Sequence, residues 1–233
     1  MGWSEYAYRD GARLEAALCE GLRAQIDDAL VARGHAVLAL AGGRTPLPIY
    51  ARLAQSGLDW ARVTLLPTDE RCVPHGHPAC NLSALQEAFA AAAGVHWLSL
   101  TRADGDPQRS EAHAREALRA CTEPFDAVLL GMGGDLHTAS LFPAAPQLAL
   151  GLAADGPDAL RVDPQPLPPE APYPRISLGA ARIKRARVVH LAIQGEAKRE
   201  AVRRAQHLHD ASAAPIAAFL HADDVRLHIH WSP

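Results

Sequence analysis

Asp135 and His137 stand two positions apart, directly behind Gly131, Gly133 and Gly134, with Thr138 and Ser140 following. An imidazole accepts and returns protons near neutral pH, and a carboxylate beside it can hold it in one orientation. Glycine adopts positive φ at little cost and lets backbone amides approach a ligand, so three in four positions suit a turn built around a small molecule. An ordinary strand-to-helix turn with Asp135 as helix cap is the plainer reading. The concentration of titratable residues and glycines in one turn favours a site.

Three more stretches carry candidate chemistry. Ala41-Gly42-Gly43-Arg44-Thr45-Pro46 reads as a strand end, a Gly-Gly turn and a helix start, with Thr45 as N-cap and Pro46 in the first turn. Backbone N–H groups at such a helix start can cradle a phosphate. It is neither a Walker loop nor a GxGxxG fingerprint, and needs other basic residues nearby to mean more than a turn. Asp69-Glu70-Arg71 follows a strand as either a solvated turn or a second wall of the same crevice. Lys198 falls in the first turn of a helix, where a cation opposes the helix dipole unless an anion sits beside it.

These residues need a scaffold. Leu14, Leu18, Leu22, Ile26 and Leu30 recur at spacing four and predict a helix over 12–32. Apolar runs at 36–40, 63–66, 95–100, 125–130, 188–193 and 225–230 predict strands, the last closing the sheet. Helices are expected between them, from Asn81 (a plausible cap) through Ala93 and over 107–120. Near-continuously apolar strands alternating with helices predict an α/β fold: one doubly wound, mostly parallel sheet with helices on both faces. Six prolines in the eleven positions 164–174 predict an extended rim loop inside a single domain spanning 1–233.

At 233 residues and 48% hydrophobic content the chain can bury one large core. A formal charge of −3 supplies no global field for nucleic acid or an anionic membrane, and no apolar run approaches membrane-span length. Four cysteines without CxxC spacing, and no signal peptide, predict reduced thiols in a cytoplasmic protein. His75-Gly-His77 and His228-Ile-His230 invite a metal reading, the second because i and i+2 share a strand face. Two histidines make half a tetrahedral site, and neither pair adjoins a cysteine or acidic cluster of ligand spacing, so no metal is expected.

In order and spacing, Ala41–Pro46, Thr68–Pro74, Gly131–Pro143 and Gly195–Lys198 resemble the 6-phosphogluconolactonases over roughly residues 36–206. The resemblance implies the fold shared with glucosamine-6-phosphate deaminases. It also implies hydrolysis of 6-phospho-D-glucono-1,5-lactone, the second step of the oxidative pentose phosphate pathway, with no cofactor. His137 is then the general base. Asp135, Asp69 or Glu70 orients it or the sugar hydroxyls. Arg71 and Lys198 read the phosphate, with Arg175, Arg44, Thr45 and the Gly42 and Gly43 amides as further candidates. No Gly-x-Ser-x-Gly elbow appears, which favours direct hydrolysis over an acyl-enzyme. The expected partner is a small sugar phosphate, with no nucleic acid or membrane, for a monomer or weak homodimer.

The chain departs from the family where Leu136 replaces a usual glycine, Cys80 a serine, and Ala41 and Arg44 serines. Two rival functions remain: a glucosamine-6-phosphate deaminase, whose pattern diverges at Arg71 and after His137, and a non-catalytic sugar-phosphate sensor.

Overall fold

A computed structural model describes residues 2–43, 45–169 and 171–233. In chain order the strands are β1 (Trp3–Ala7), β2 (Ala36–Leu40), β3 (Val63–Pro67), β4 (Asp69–Arg71), β5 (His96–Trp97), β6 (Ala127–Leu130), β7 (Ala159–Val162), β8 (Arg175–Leu178), β9 (Val189–Gln194) and β10 (Leu227–Ser232). The helices are α1 (Gly11–Arg33), α2 (Leu47–Leu53), α3 (Asn81–Ala88), α4 (Pro107–Ala120), α5 (Leu148–Leu152), α6 (Ala180–Lys184), α7 (Glu196–His207) and α8 (Ala217–Leu220).

Seven strands form one sheet in the order β1-β10-β9-β6-β2-β3-β5, and each neighbouring pair is parallel. Alternation along β2 sorts the core. Leu38 and Leu40 enter the apolar cluster shared with α1 and α2, while Ala39 enters the cluster on the opposite face. The stripe on α1 is buried throughout, Leu30 being the most exposed at 8%. Each such side chain contributes about 1.5–3 kcal/mol of burial. Asp10 caps α1 by accepting from the Arg13 N–H at 2.8 Å, and Gly34 at φ 79° ends it.

The strand order reverses between β2 and β6. From β2 the chain fills outward to β3 and β5, then returns to β6 and fills the other side. The carboxyl ends of β2 and β6 therefore flank the switch point, where ligands bind in open α/β sheets. Beside it, β4, β8 and β7 form a small antiparallel sheet. The chain crosses into it at Thr68, whose N–H donates to Leu40 O of β2 and whose carbonyl accepts from Leu178 N.

Several expectations are corrected. The last strand does not close the sheet, because β1 pairs outside it. The run 95–100 yields only a two-residue edge strand, because Ser99 turns the chain by donating to Thr101 O. The helix from Asn81 ends at Ala88, and the turn behind it closes at Gly94 with φ 86°. Its N-cap is Cys80, with Asn81 its first residue. Thr45 caps nothing: α2 starts at Leu47 with Pro46 in the cap position and no side-chain cap. No helix follows the Gly131–Gly134 turn either; the next is α5.

Candidate active site

A cleft of ≈ 350 Å³ opens at the switch point. Its floor and one wall come from the ends of β2 and β6, including Gly42, Gly43 and Gly133. Its other walls carry His137, Asp69, Arg71, Arg175 and Lys198. Thr45 lines it too, whereas Arg44 lies outside the described residues.

His137 Nδ1 pairs with Asp135 Oδ1 at 2.5 Å, and the His137 N–H also donates to that oxygen at 3.3 Å. The imidazole lies 4.1 Å, centroid to centroid, from the Phe142 ring. With Nδ1 held by the carboxylate, Nε2 is the nitrogen left for a ligand. Partial burial works to raise the Asp135 pKa, but the hydrogen bonds and charge of His137 outweigh it and the net shift is downward. Asp135 itself does not line this cleft. It borders a neighbouring one, formed with Phe142 and the proline-rich stretch 164–169.

At Gly133 glycine is required for closeness and not, as expected, for positive φ. None of Gly131, Gly133 and Gly134 adopts it. A Cβ on Gly133 would stand 2.2 Å from His137 Nδ1 and 2.4 Å from Asp135 Oδ1, so any other residue would break the pair apart. Positive φ falls instead on Leu136 (69°) and Ala139 (47°).

Across the cleft, the register of β4 and β8 pairs Arg71 with Arg175. Arg71 donates through Nη1 to Ala79 O, while its buried Nε has no partner among the described residues. Arg175 is held by Tyr173 O and Ala171 O and lies over the Phe142 ring. Lys198 Nζ donates to Met132 O at 2.6 Å, from the first turn of α7 behind Gly195 (φ 88°). Burial lowers the Lys198 pKa, partly offset by Asp135. Three cations thus surround a cleft whose only lining carboxylate among the described residues is Asp69.

Asp69 is fixed by Ser140 Oγ at 2.5 Å and Thr68 Oγ1 at 3.2 Å, and its carbonyl accepts from Asn81 Nδ2. Ser140 and Asn81 were not singled out as site residues. Ser140 sits in the glycine-turn segment, but no local pattern links it to Asp69 at a separation of 71 residues. Glu70 turns away and lines none of the cleft. Fully buried, it accepts from the N–H groups of Arg71, Asn81 and Leu82 and from Cys80 Sγ–H, so it caps α3 from an adjacent strand. Asp69–Arg71 is therefore no solvated turn but a short strand whose alternate residues face the cleft and the helix cap.

The sequence pattern of the family described as "Glucosamine-6-phosphate isomerases/6-phosphogluconolactonase" matches residues 9–231. The chain belongs to this family. A 6-phosphogluconolactonase of Pseudomonas putida is 37% identical over 228 residues, spanning 96% of this chain and 90% of that protein. One from Rhizobium meliloti is 30% identical over 100% of both chains. The crystal structure of a 6-phosphogluconolactonase from Shewanella baltica superimposes with a TM-score of 0.92 at 30% identity, covering 98% of this chain and 97% of that one. A monomeric glucosamine-6-phosphate deaminase shares the family fold at a TM-score of 0.79 and 19% identity.

Proposed function

We infer that the chain is a 6-phosphogluconolactonase, hydrolysing 6-phospho-D-glucono-1,5-lactone to 6-phosphogluconate. The observation that carries the site assignment is His137, held from behind by Asp135, at one wall of a cleft whose other walls present Arg71, Arg175 and Lys198.

In the mechanism this supports, the phosphate is held by Arg71, whose buried Nε has no partner among the described residues, and by Lys198. Arg175, Thr45 and the Gly42 and Gly43 amides complete its surroundings. Charge-assisted bonds of this kind are each worth about 1.5–3 kcal/mol. Asp69, locked by Ser140, faces the sugar hydroxyls. His137 Nε2 takes a proton from water as its oxygen bonds to the lactone carbonyl carbon. The tetrahedral oxyanion collapses by breaking the bond to the ring oxygen, which receives the proton from the imidazolium. Asp135 holds the imidazole in the tautomer with Nδ1–H and stabilises its charged form. The new carboxyl group then ionises. We place this step in the oxidative pentose phosphate pathway of the cytoplasm, performed by a monomer or weak homodimer.

Kinetics of His137→Ala on the phosphorylated lactone, corrected for spontaneous hydrolysis, test the base. The expected loss in kcat is about 10²–10⁴-fold with little change in KM. Near-normal kcat would remove His137 from the mechanism, and ammonia release from glucosamine 6-phosphate would replace the function altogether.

A further inference from the structure

His228 and His230 share one face of β10, and the register of the sheet sets His190 of β9 beside His228. One ring nitrogen from each of the three lies within 4.8 Å of the others. His190 Nδ1 and His230 Nε2 are 3.0 Å apart. Two nitrogens on a tetrahedral zinc stand about 3.3 Å apart, given Zn–N bonds of about 2.0–2.1 Å. The outer nitrogens are already engaged. His190 Nε2 meets the Gln25 side-chain amide, with its nitrogen at 2.9 Å and Oε1 at 3.2 Å, and His230 Nδ1 meets Tyr8 Oη at 2.9 Å. Ligating histidines characteristically donate their other N–H to an oxygen that fixes the tautomer, and both oxygens here can accept. His228, partly exposed, makes no hydrogen bond to any described residue. Tyr6 packs against both His228 and His230.

We propose that His190, His228 and His230 bind a divalent transition-metal ion of the zinc class on the α1 face of the sheet, with Gln25 and Tyr8 as outer partners and the fourth position open to water. The site is separate from the catalytic cleft, which opens at the strands' carboxyl ends. His190 and His230 are both buried, which disfavours the charged imidazolium and suits the neutral imidazole that a metal takes as ligand. The ion ties β9 and β10 together directly, and α1 and the residue after β1 through Gln25 and Tyr8. It raises the melting temperature without entering the lactonase reaction.

Chelator-treated full-length protein is titrated with Zn²⁺ and, separately, with Co²⁺ as an optical probe of tetrahedral coordination. Wild type and His137→Ala are expected to bind one equivalent and to melt higher with zinc. His228→Ala should lose the tetrahedral cobalt spectrum and weaken binding at least about 100-fold while retaining lactone hydrolysis, which also reports that it has folded. Gln25→Ala should weaken binding about 10–100-fold, the usual effect of removing an outer partner. Failure of wild type to retain zinc would reduce the cluster to a hydrogen-bonded chain of imidazoles and overturn the proposal. Wild-type affinity in His228→Ala would place the ion elsewhere and overturn it equally.

Discussion

Lys198 brings to the cleft a cation whose charge depends on pH. Burial lowers its pKa and Asp135 restores only part of the loss, so it sheds its proton at lower pH than a free lysine. Below the shifted pKa the ammonium is charged, and in the proposed mechanism it holds phosphate; as pH rises through that pKa, the contact is expected to be lost. Calorimetry should therefore show 6-phosphogluconate binding weakening on the alkaline side before the range of free lysine. In Lys198→Arg the guanidinium stays charged and the alkaline limb should vanish. A limb unchanged in that variant would assign it to another group. At Leu136 two effects combine. The family's glycine there implied positive φ, and the backbone takes it at 69°. The side chain is also 9% exposed and packed in the core, which no local pattern indicated, because a glycine in relatives says nothing of what a leucine would touch. Leu136→Ala keeps the strain and leaves a cavity, costing about 2–5 kcal/mol. Leu136→Gly leaves the same cavity but releases about 1–3 kcal/mol of strain. Glycine should thus melt above alanine, with both below wild type. The reverse order would show that the turn is relaxed.

The short strand β4 divides its residues between two tasks, and separating them gives the next test. Asp69 and Arg71 face the cleft, while Glu70 between them holds the start of α3. Glu70→Gln places an amide N–H against backbone N–H donors and removes the charge from those bonds. Stability in urea should fall by about 2–4 kcal/mol, with kcat and KM changing far less. A fall in kcat at unchanged stability would return Glu70 to the reaction. Local rules could not find this cap. They look for a side chain at the helix start, whereas this carboxylate comes from eleven residues upstream of Asn81. Elements built on strong local pattern were legible: β2 and α4 have the bounds their sequence indicates, 36–40 and 107–120. Helices of four or five residues such as α5, α6 and α8 are too short to display a period.

Across the molecule, alternation of strand and helix revealed the layered α/β architecture, but nothing local encodes the order of strands in the sheet. The position of β1 is the clearest case. Its residues Trp3-Ser4-Glu5-Tyr6-Ala7 are mostly exposed and carry no apolar run, yet they make five registered pairs with β10. Deleting residues 1–8 would bare the β10 edge and remove Tyr8 from His230. Thermal melts should drop by several degrees, and light scattering should report association at concentrations where the full chain stays dispersed. An unaltered melt would make β1 an ornament of the edge. The pairing also sets an order of events during synthesis. Trp3 waits for Leu227, which the ribosome adds 224 residues later. At about 5–20 residues per second, β1 has no partner in β10 for roughly 11–45 s. Ser4 and Glu5 keep that waiting segment polar, so β1 can remain in water until β10 emerges to receive it.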